Sequence, residues 1–315
     1  MKVKLMITGG LGYIGSFTAK KFLNQNKLKP IVVDNLSRGN LFAKKYSKSK
    51  KLNISSLKVK KIIIKNKINT ILHLAAFTCV RESIKNKKKY FNNNYKSQIK
   101  FIRNLKDTKV KYFIFSSSLS VFDKNKFKFN PSPYSKYKLK IEKYLKKIAS
   151  SDFKVIILRY PNIVGSDPQG NLGEKNKFIS RVVSSFYQNI LNKKKNILFY
   201  DNKKKEFPMR SYMHVYDIAN LNLKVIYNYL KFKKNFYVFN VFKKKYHSNY
   251  QVIKALSEVL KIEPKYVLKQ ISHKESIVPV YKKGDDIFKF LNFQPKYKNL
   301  KKILKTNIKW FKKIY

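Results

Sequence analysis

The octet TGGLGYIG, Thr8–Gly15, decides how the rest of the chain is read. It follows an apolar run, Val3–Thr8, and opens a helix-like segment, with Gly9, Gly12 and Gly15 spaced as GxxGxxG. A strand that turns tightly into a helix needs residues without a Cβ where backbone passes close to backbone. The helix start behind such a turn presents free N–H groups, a natural seat for phosphate. The pattern is a spacing variant of the dinucleotide fingerprint. Glycines also make ordinary turns, so the flanking strand and helix carry much of the argument.

Asp34 ends the next apolar run, Pro30–Asp34, 19 residues after Gly15. A carboxylate there accepts both hydroxyls of an adenosine ribose and repels a 2′-phosphate, which favours NAD over NADP. Arg38 is nearby and keeps NADP as the alternative. Further apolar runs at Thr70–Leu74, Tyr112–Ser116 and Val155–Arg159 are nearly continuous, as strands covered on both faces require. Helix-length segments separate them. Alternating strand and helix predicts an α/β fold with a doubly wound parallel sheet. After Gly165 the pattern loosens. SNYQVIKALSEVLKI predicts a capped helix with Val252, Ile253, Leu256, Val259 and Leu260 on one face, and Leu300, Ile303, Leu304 and Ile308 predict another amphipathic helix.

One apolar run stops in hydroxyls: FIFSSSLSVF, Phe113–Phe122, contains Ser116, Ser117 and Ser118. Ligands of open α/β sheets bind beyond the carboxyl ends of strands, where these serines fall. Tyr134 and Lys138 follow at i and i+4, on one helix face. A lysine ammonium near a phenol favours its ionised form, lowering a pKa of ~10 and making tyrosine a usable base. A serine hydroxyl can orient a substrate oxygen. A lone YxxxK arises often by chance. The glycine turn, Asn93, Tyr134 and Lys138 occurring in this order are harder to dismiss.

At 315 residues and 43% hydrophobic content the chain can bury a large core. The formal charge of +56 invites a nucleic-acid partner, yet only six of the 72 basic residues are arginine. Base readout favours arginine. Lysine, Asn, Ile, Tyr and Phe share A/T-rich codons, so base composition accounts for the excess, and no specific nucleic acid is expected. No run approaches the ~20 apolar residues of a membrane span, and the apolar start is too short for a signal peptide. Cys79 is the single cysteine, which excludes an internal disulfide and suits a soluble cytosolic protein. It is expected to be a small buried residue. The four histidines show no metal-ligand spacing, and His73 and His214 are expected to be structural.

The chain resembles the extended short-chain dehydrogenase/reductases, and most closely the UDP-glucose (UDP-galactose) 4-epimerases. The matching stretches are TGGLGYIGS, VVDNLSRGN, ILHLAA, ESIKNKKKYFNNN, FIFSSSLSVF, SPYSKYKLKIE, LRYPNIVG, DPQGNLGE and RSYMHVYDIA, in family order from residue 3 to about 219. The resemblance implies a Rossmann-type domain over 1–165 and a smaller α/β nucleotide-sugar domain over 166–315, with part of about 210–240 returning to the first. It implies a cytoplasmic homodimer with NAD held throughout the reaction. Tyr134 would be the base, supported by Ser118 and Lys138, while the C4 hydride passes to NAD and returns to the other face of a 4-keto sugar. Beside the residues read above, the resemblance assigns Tyr13, Ile14, Asn35, Asn53, Ile54, Leu74, Ala75, Ala76, Asn93, Lys138 and Pro161 to the cofactor. It assigns Ser118, Tyr134, Asn162, Asn176, Arg210, Lys274 and Tyr281 to the UDP-sugar.

Dehydrating relatives carry an Asp-Glu pair just after the position of Ser118, where this chain has Leu119 and Ser120. That favours epimerisation. Departures fall elsewhere. Asn53 replaces an aspartate, Thr78 a frequent lysine, Pro161 an aromatic, Lys274 an arginine and Ile277 an aspartate. A lysine keeps the charge but loses the bidentate fork. Tyr281 falls on a gate where bulk disfavours N-acetyl sugars. An epimerase of another nucleotide sugar, such as UDP-N-acetylglucosamine, and a non-catalytic NAD-binding relative remain the alternatives.

Overall fold

The computed structural model of the protein describes residues 2–25, 28–121, 132–175, 182–242, 245–270 and 286–315. Six strands of the central sheet arise in the first half: β1 Leu5–Thr8, β2 Ile31–Asp34, β3 Lys48–Lys51, β4 Thr70–His73, β5 Tyr112–Ser118 and β6 Lys154–Tyr160. A seventh, Phe236–Asn240, pairs with β6. The order is Phe236–Asn240, β6, β5, β4, β1, β2, β3, and every pairing is parallel. Successive side chains of a strand point to opposite faces. Leu5 and Ile7 thus join one core with Phe17 and Phe22, while Met6 joins a second with Phe113 and Phe115. Two helical layers sandwich the sheet, as double-faced apolar strands demand. Each buried Leu, Ile or Phe contributes roughly 1.5–3 kcal/mol.

Two strands escape the sequence pattern. β3 reads KSKK and its side chains are largely exposed, so it carries no apolar signal. Lysines on an edge strand also discourage further pairing. Phe236–Asn240 is apolar but is embedded among lysines. The serine-bearing strand runs two residues beyond the expected Ser116, to Ser118.

The second half builds a lobe around a third core of Tyr187, Leu198, Ile253, Leu256, Trp310 and Phe311. Helix Asn249–Leu260 forms as the pattern predicts. Ser248 accepts from the Gln251 N–H, and the Gln251 side chain answers to the Ser248 backbone. Val259 and Leu260 are only half-buried. The C-terminal helix is two: Leu300–Lys305 and Asn307–Ile314 break at Thr306. Thr306 Oγ1 donates to the Ile303 carbonyl and accepts from the Ser166 N–H at 3.0 Å. Among the described residues no helix is long and apolar enough to cross a membrane.

The lobe is tied to the sheet by specific bonds. Tyr13 donates its hydroxyl to the Gly165 carbonyl, and Lys20 pairs with buried Asp167 at 2.6 Å. Trp310 Nε1 donates to the Glu174 carbonyl at 2.7 Å, pinning residues 173–175 where they face the glycine turn.

Candidate active site

A cleft lies beyond the carboxyl ends of β1, β2 and β4. Gly9, Gly12, Tyr13, Ile14 and Gly15 line one side of it. Asp34 and Asn35 after β2, Asn53 and Ile54 after β3, and Leu74, Ala75 and Ala76 after β4 line the rest, with Asn93. Gly9 has φ +66°. A Cβ at Gly15 would stand 2.3 Å from the Gly9 carbonyl oxygen, so the turn closes only with glycine there. Helix Tyr13–Asn24 starts with no side-chain cap at Gly12, leaving its first N–H groups toward the cleft.

Asp34 accepts from the N–H groups of Leu36 at 2.8 Å and Leu11 at 3.1 Å. Burial pushes its pKa up against the pull of these backbone donors. The loop after β4 is held from below. His73 is buried between Phe101 and Phe115, and burial, with the Lys138 charge, pushes its pKa down to about 3. Its Nε2 faces Gln98 Oε1 at 3.2 Å, so Nε2 carries the proton and Nδ1 accepts from Thr8 Oγ1 at 2.7 Å. Gln98 then donates to the Ala75 carbonyl at 2.9 Å. His73 is structural, as expected, and it fixes the backbone that approaches Gly9.

Each of the three serines has a separate partner. Ser116 offers its carbonyl to Lys138 Nζ at 2.5 Å. Ser117 donates its hydroxyl to Glu142 Oε1. Ser118 Oγ accepts from the Ser120 N–H at 3.1 Å. Helix Pro133–Ile148, N-capped by Ser132, is thereby laid along the end of β5. Tyr134 is buried in one cluster with Tyr90 and with Phe77, itself a wall of the cleft, and Tyr137 packs against that cluster. Lys138 is 3% exposed, with Nζ 4.6 Å from the Phe115 ring centre. Burial lowers its pKa to about 7, against the pull of Glu142. Glu142 is in turn gripped by Arg159, at 2.5 Å through NH2 and 3.0 Å through Nε.

Sequence reasoning singled out neither Glu142 nor its bond to Arg159, although Glu142 follows Lys138 at i+4. It also missed Asn94, which bonds both backbone groups of Phe77 and accepts from Asn93 at 2.8 Å. Asn93 and Asn94 lie in a π-helical turn, Asn92–Lys96, a distortion common at functional sites. Cys79 departs from expectation. It is half-buried and caps helix Val80–Lys85, its sulfur accepting from the Glu82 N–H at 3.3 Å. Pro161 and Lys138 are not among the cleft-lining residues. Asn162 and Arg210 come close because strands Asn162–Val164 and Tyr212–His214 pair, with the Asn162 N–H bonded to the Ser211 carbonyl at 3.1 Å. Asn53 is exposed, its Oδ1 accepting from Ser55 and Ser97. Asn176, Lys274, Ile277 and Tyr281 lie outside the described residues.

A parallel sheet, a glycine turn against an uncapped helix start and an acid closing β2 define a dinucleotide-binding α/β protein of doubly wound topology. The chain belongs to the NAD dependent epimerase/dehydratase family, whose model matches residues 5–241. It is 26% identical to a UDP-glucose 4-epimerase of Lactobacillus helveticus over 98% of this chain and 97% of that one. A solved UDP-Glc/GlcNAc 4-epimerase of Campylobacter jejuni superposes with TM-score 0.80 at 29% identity, over 99% of both chains. The fold also matches a UDP-glucose 4-epimerase of Bifidobacterium longum solved with NAD+ and UDP, with TM-score 0.86 at 24% identity over 99% of this chain and 98% of that one. NAD fits the residues present. The glycine cradle admits backbone only, the first helical N–H groups are uncapped, and Asp34 stands at the end of β2.

Proposed function

We propose that the chain interconverts UDP-glucose and UDP-galactose by inverting C4, with NAD held in the cleft. One observation carries this reading above the others. The bond from Lys138 Nζ to the Ser116 carbonyl lays the Tyr134–Lys138 helix face against the carboxyl end of β5, where Ser118 stands. When bound, NAD supplies a hydride acceptor that returns the same hydride. Tyr134 Oη takes the proton of the sugar 4-hydroxyl as C4 is oxidised and gives it back as C4 is reduced. Ser118 Oγ orients the sugar O4. Lys138, when charged, favours the phenolate. Atoms and electrons balance within one turnover, so no external oxidant is consumed.

Arg210 and Asn162 would hold the diphosphate and uridine side, with Asn176, Lys274 and Tyr281 assigned to the same task by resemblance. Leu119 is buried and Ser120 Oγ bonds Ser135 Oγ at 3.0 Å, so no acid for elimination stands directly after Ser118. On the same reading the enzyme is a cytoplasmic homodimer of galactose metabolism. The Campylobacter jejuni relative keeps the N-acetylated sugar as a second substrate class.

Incubating the purified protein separately with UDP-glucose, UDP-galactose and UDP-N-acetylglucosamine, and reading products by NMR, tests the proposal. The 4-epimer of a UDP-hexose is expected without added cofactor. Turnover of the N-acetyl sugar alone would move the assignment to the second class, and no epimer of any of the three would refute it.

A further inference from the structure

Asp34 and Arg38 both line the cleft at the end of β2, and they pull cofactor choice in opposite directions. A carboxylate repels a ribose 2′-phosphate, whereas an arginine nearby commonly accommodates one. In this chain the guanidinium is already committed. Arg38 Nη2 lies 2.5 and 2.6 Å from the two oxygens of Glu82. Its carbon stands 5.1 Å from the Phe77 ring centre. Glu82 is itself held from several sides: its N–H donates to Cys79 Sγ, Lys89 Nζ approaches to 2.9 Å, and the Tyr90 hydroxyl donates at 3.0 Å. Burial of Glu82 works against its charge, but Lys89, Tyr90 and Arg38 outweigh it and hold the carboxyl below its ordinary range. Both partners are largely shielded, so the pair is less screened than an exposed one. It runs from the loop after β2 to the helix after β4, and β1 lies between those strands.

We propose that Glu82 determines cofactor specificity: by ion-pairing Arg38 it withdraws the guanidinium that would otherwise receive a 2′-phosphate, and so reinforces the NAD preference set by Asp34. The proposal rests on the dinucleotide reading of the cleft. It explains how Arg38 can stand four residues after Asp34 without opening the site to NADP.

The test incubates the full-length protein with a large, equimolar excess of isotope-labelled NAD and NADP until label has replaced the resident nucleotide, removes unbound nucleotide, denatures the protein and measures the bound NADP:NAD ratio by chromatography and mass spectrometry. Glu82→Gln is expected to raise that ratio about tenfold, the worth of one charge-assisted contact. Arg38→Ala added to Glu82→Gln is expected to cancel the rise. Arg38→Ala alone is expected to leave the ratio within about twofold of the parent, because the guanidinium is already withdrawn, and this arm does not depend on Glu82→Gln folding. An unchanged ratio in folded Glu82→Gln overturns the proposal. So does a rise that persists without Arg38, or an NADP share that falls several-fold in Arg38→Ala alone. A parent that binds mainly NADP would instead defeat the Asp34 reading, a separate and recognisable failure.

Discussion

Tyr134→Phe is expected to give a folded, NAD-loaded protein whose kcat falls by at least about 10²–10⁴-fold. The substitution removes one oxygen and leaves the ring in its buried cluster with Phe77 and Tyr90. Three anchors of helix Pro133–Ile148 stay in place: Lys138 still reaches the Ser116 carbonyl, Glu142 still holds Ser117 and Arg159, and Ser132 still caps the first turn. On the proposed mechanism the proton carrier disappears. Because the same oxygen serves oxidation and reduction, both half-reactions slow. Ser118→Ala should cost less, since in the proposed mechanism Ser118 orients O4 and does not carry the main proton transfer. A folded, NAD-loaded Tyr134→Phe protein that epimerises at near the parent rate would remove Tyr134 from the mechanism.

Glu142→Ala is expected to be the most destabilising single change in the site, by about 3–5 kcal/mol. The carboxylate is buried and bonds three directions at once, with Arg159 on two nitrogens and the Ser117 hydroxyl on the other side. Its removal leaves the Arg159 guanidinium largely buried without its counter-charge. Urea unfolding reads the loss as a lower midpoint. Arg159→Met in the same chain should recover much of it, since the Arg159 charge goes too. If Glu142→Ala unfolds within about 1 kcal/mol of the parent, this cluster does not hold β5, β6 and helix Pro133–Ile148 together.

The sequence made most of the central sheet legible because burial on both faces writes itself as continuous apolar runs, as in Leu5–Thr8 and Thr70–His73. An edge strand has no such obligation, which is why Lys48–Lys51 was silent. The C-terminal helices share one apolar period across their break. Only contacts of Thr306 with Ser166 and His214, remote in sequence, interrupt them. In the site, Tyr134 and Lys138 were readable from local spacing, since i and i+4 share a helix face. The Ser117–Glu142–Arg159 cluster was not. Ser117 meets Arg159 only through the β5–β6 register, which pairs those two residues directly. Likewise Arg38 kept NADP open as the alternative, and its pairing with Glu82, on a helix remote in sequence, was not readable from local spacing.

The central claim is that the hydrogen leaving C4 returns to C4 of the same sugar through a cofactor that stays bound. UDP-galactose carrying deuterium at C4 tests it, incubated with the purified protein and no added nucleotide. The expected product is UDP-glucose with the deuterium retained at C4, read by NMR and mass spectrometry. Loss of the deuterium to solvent, or conversion only in step with added nicotinamide nucleotide, would contradict it.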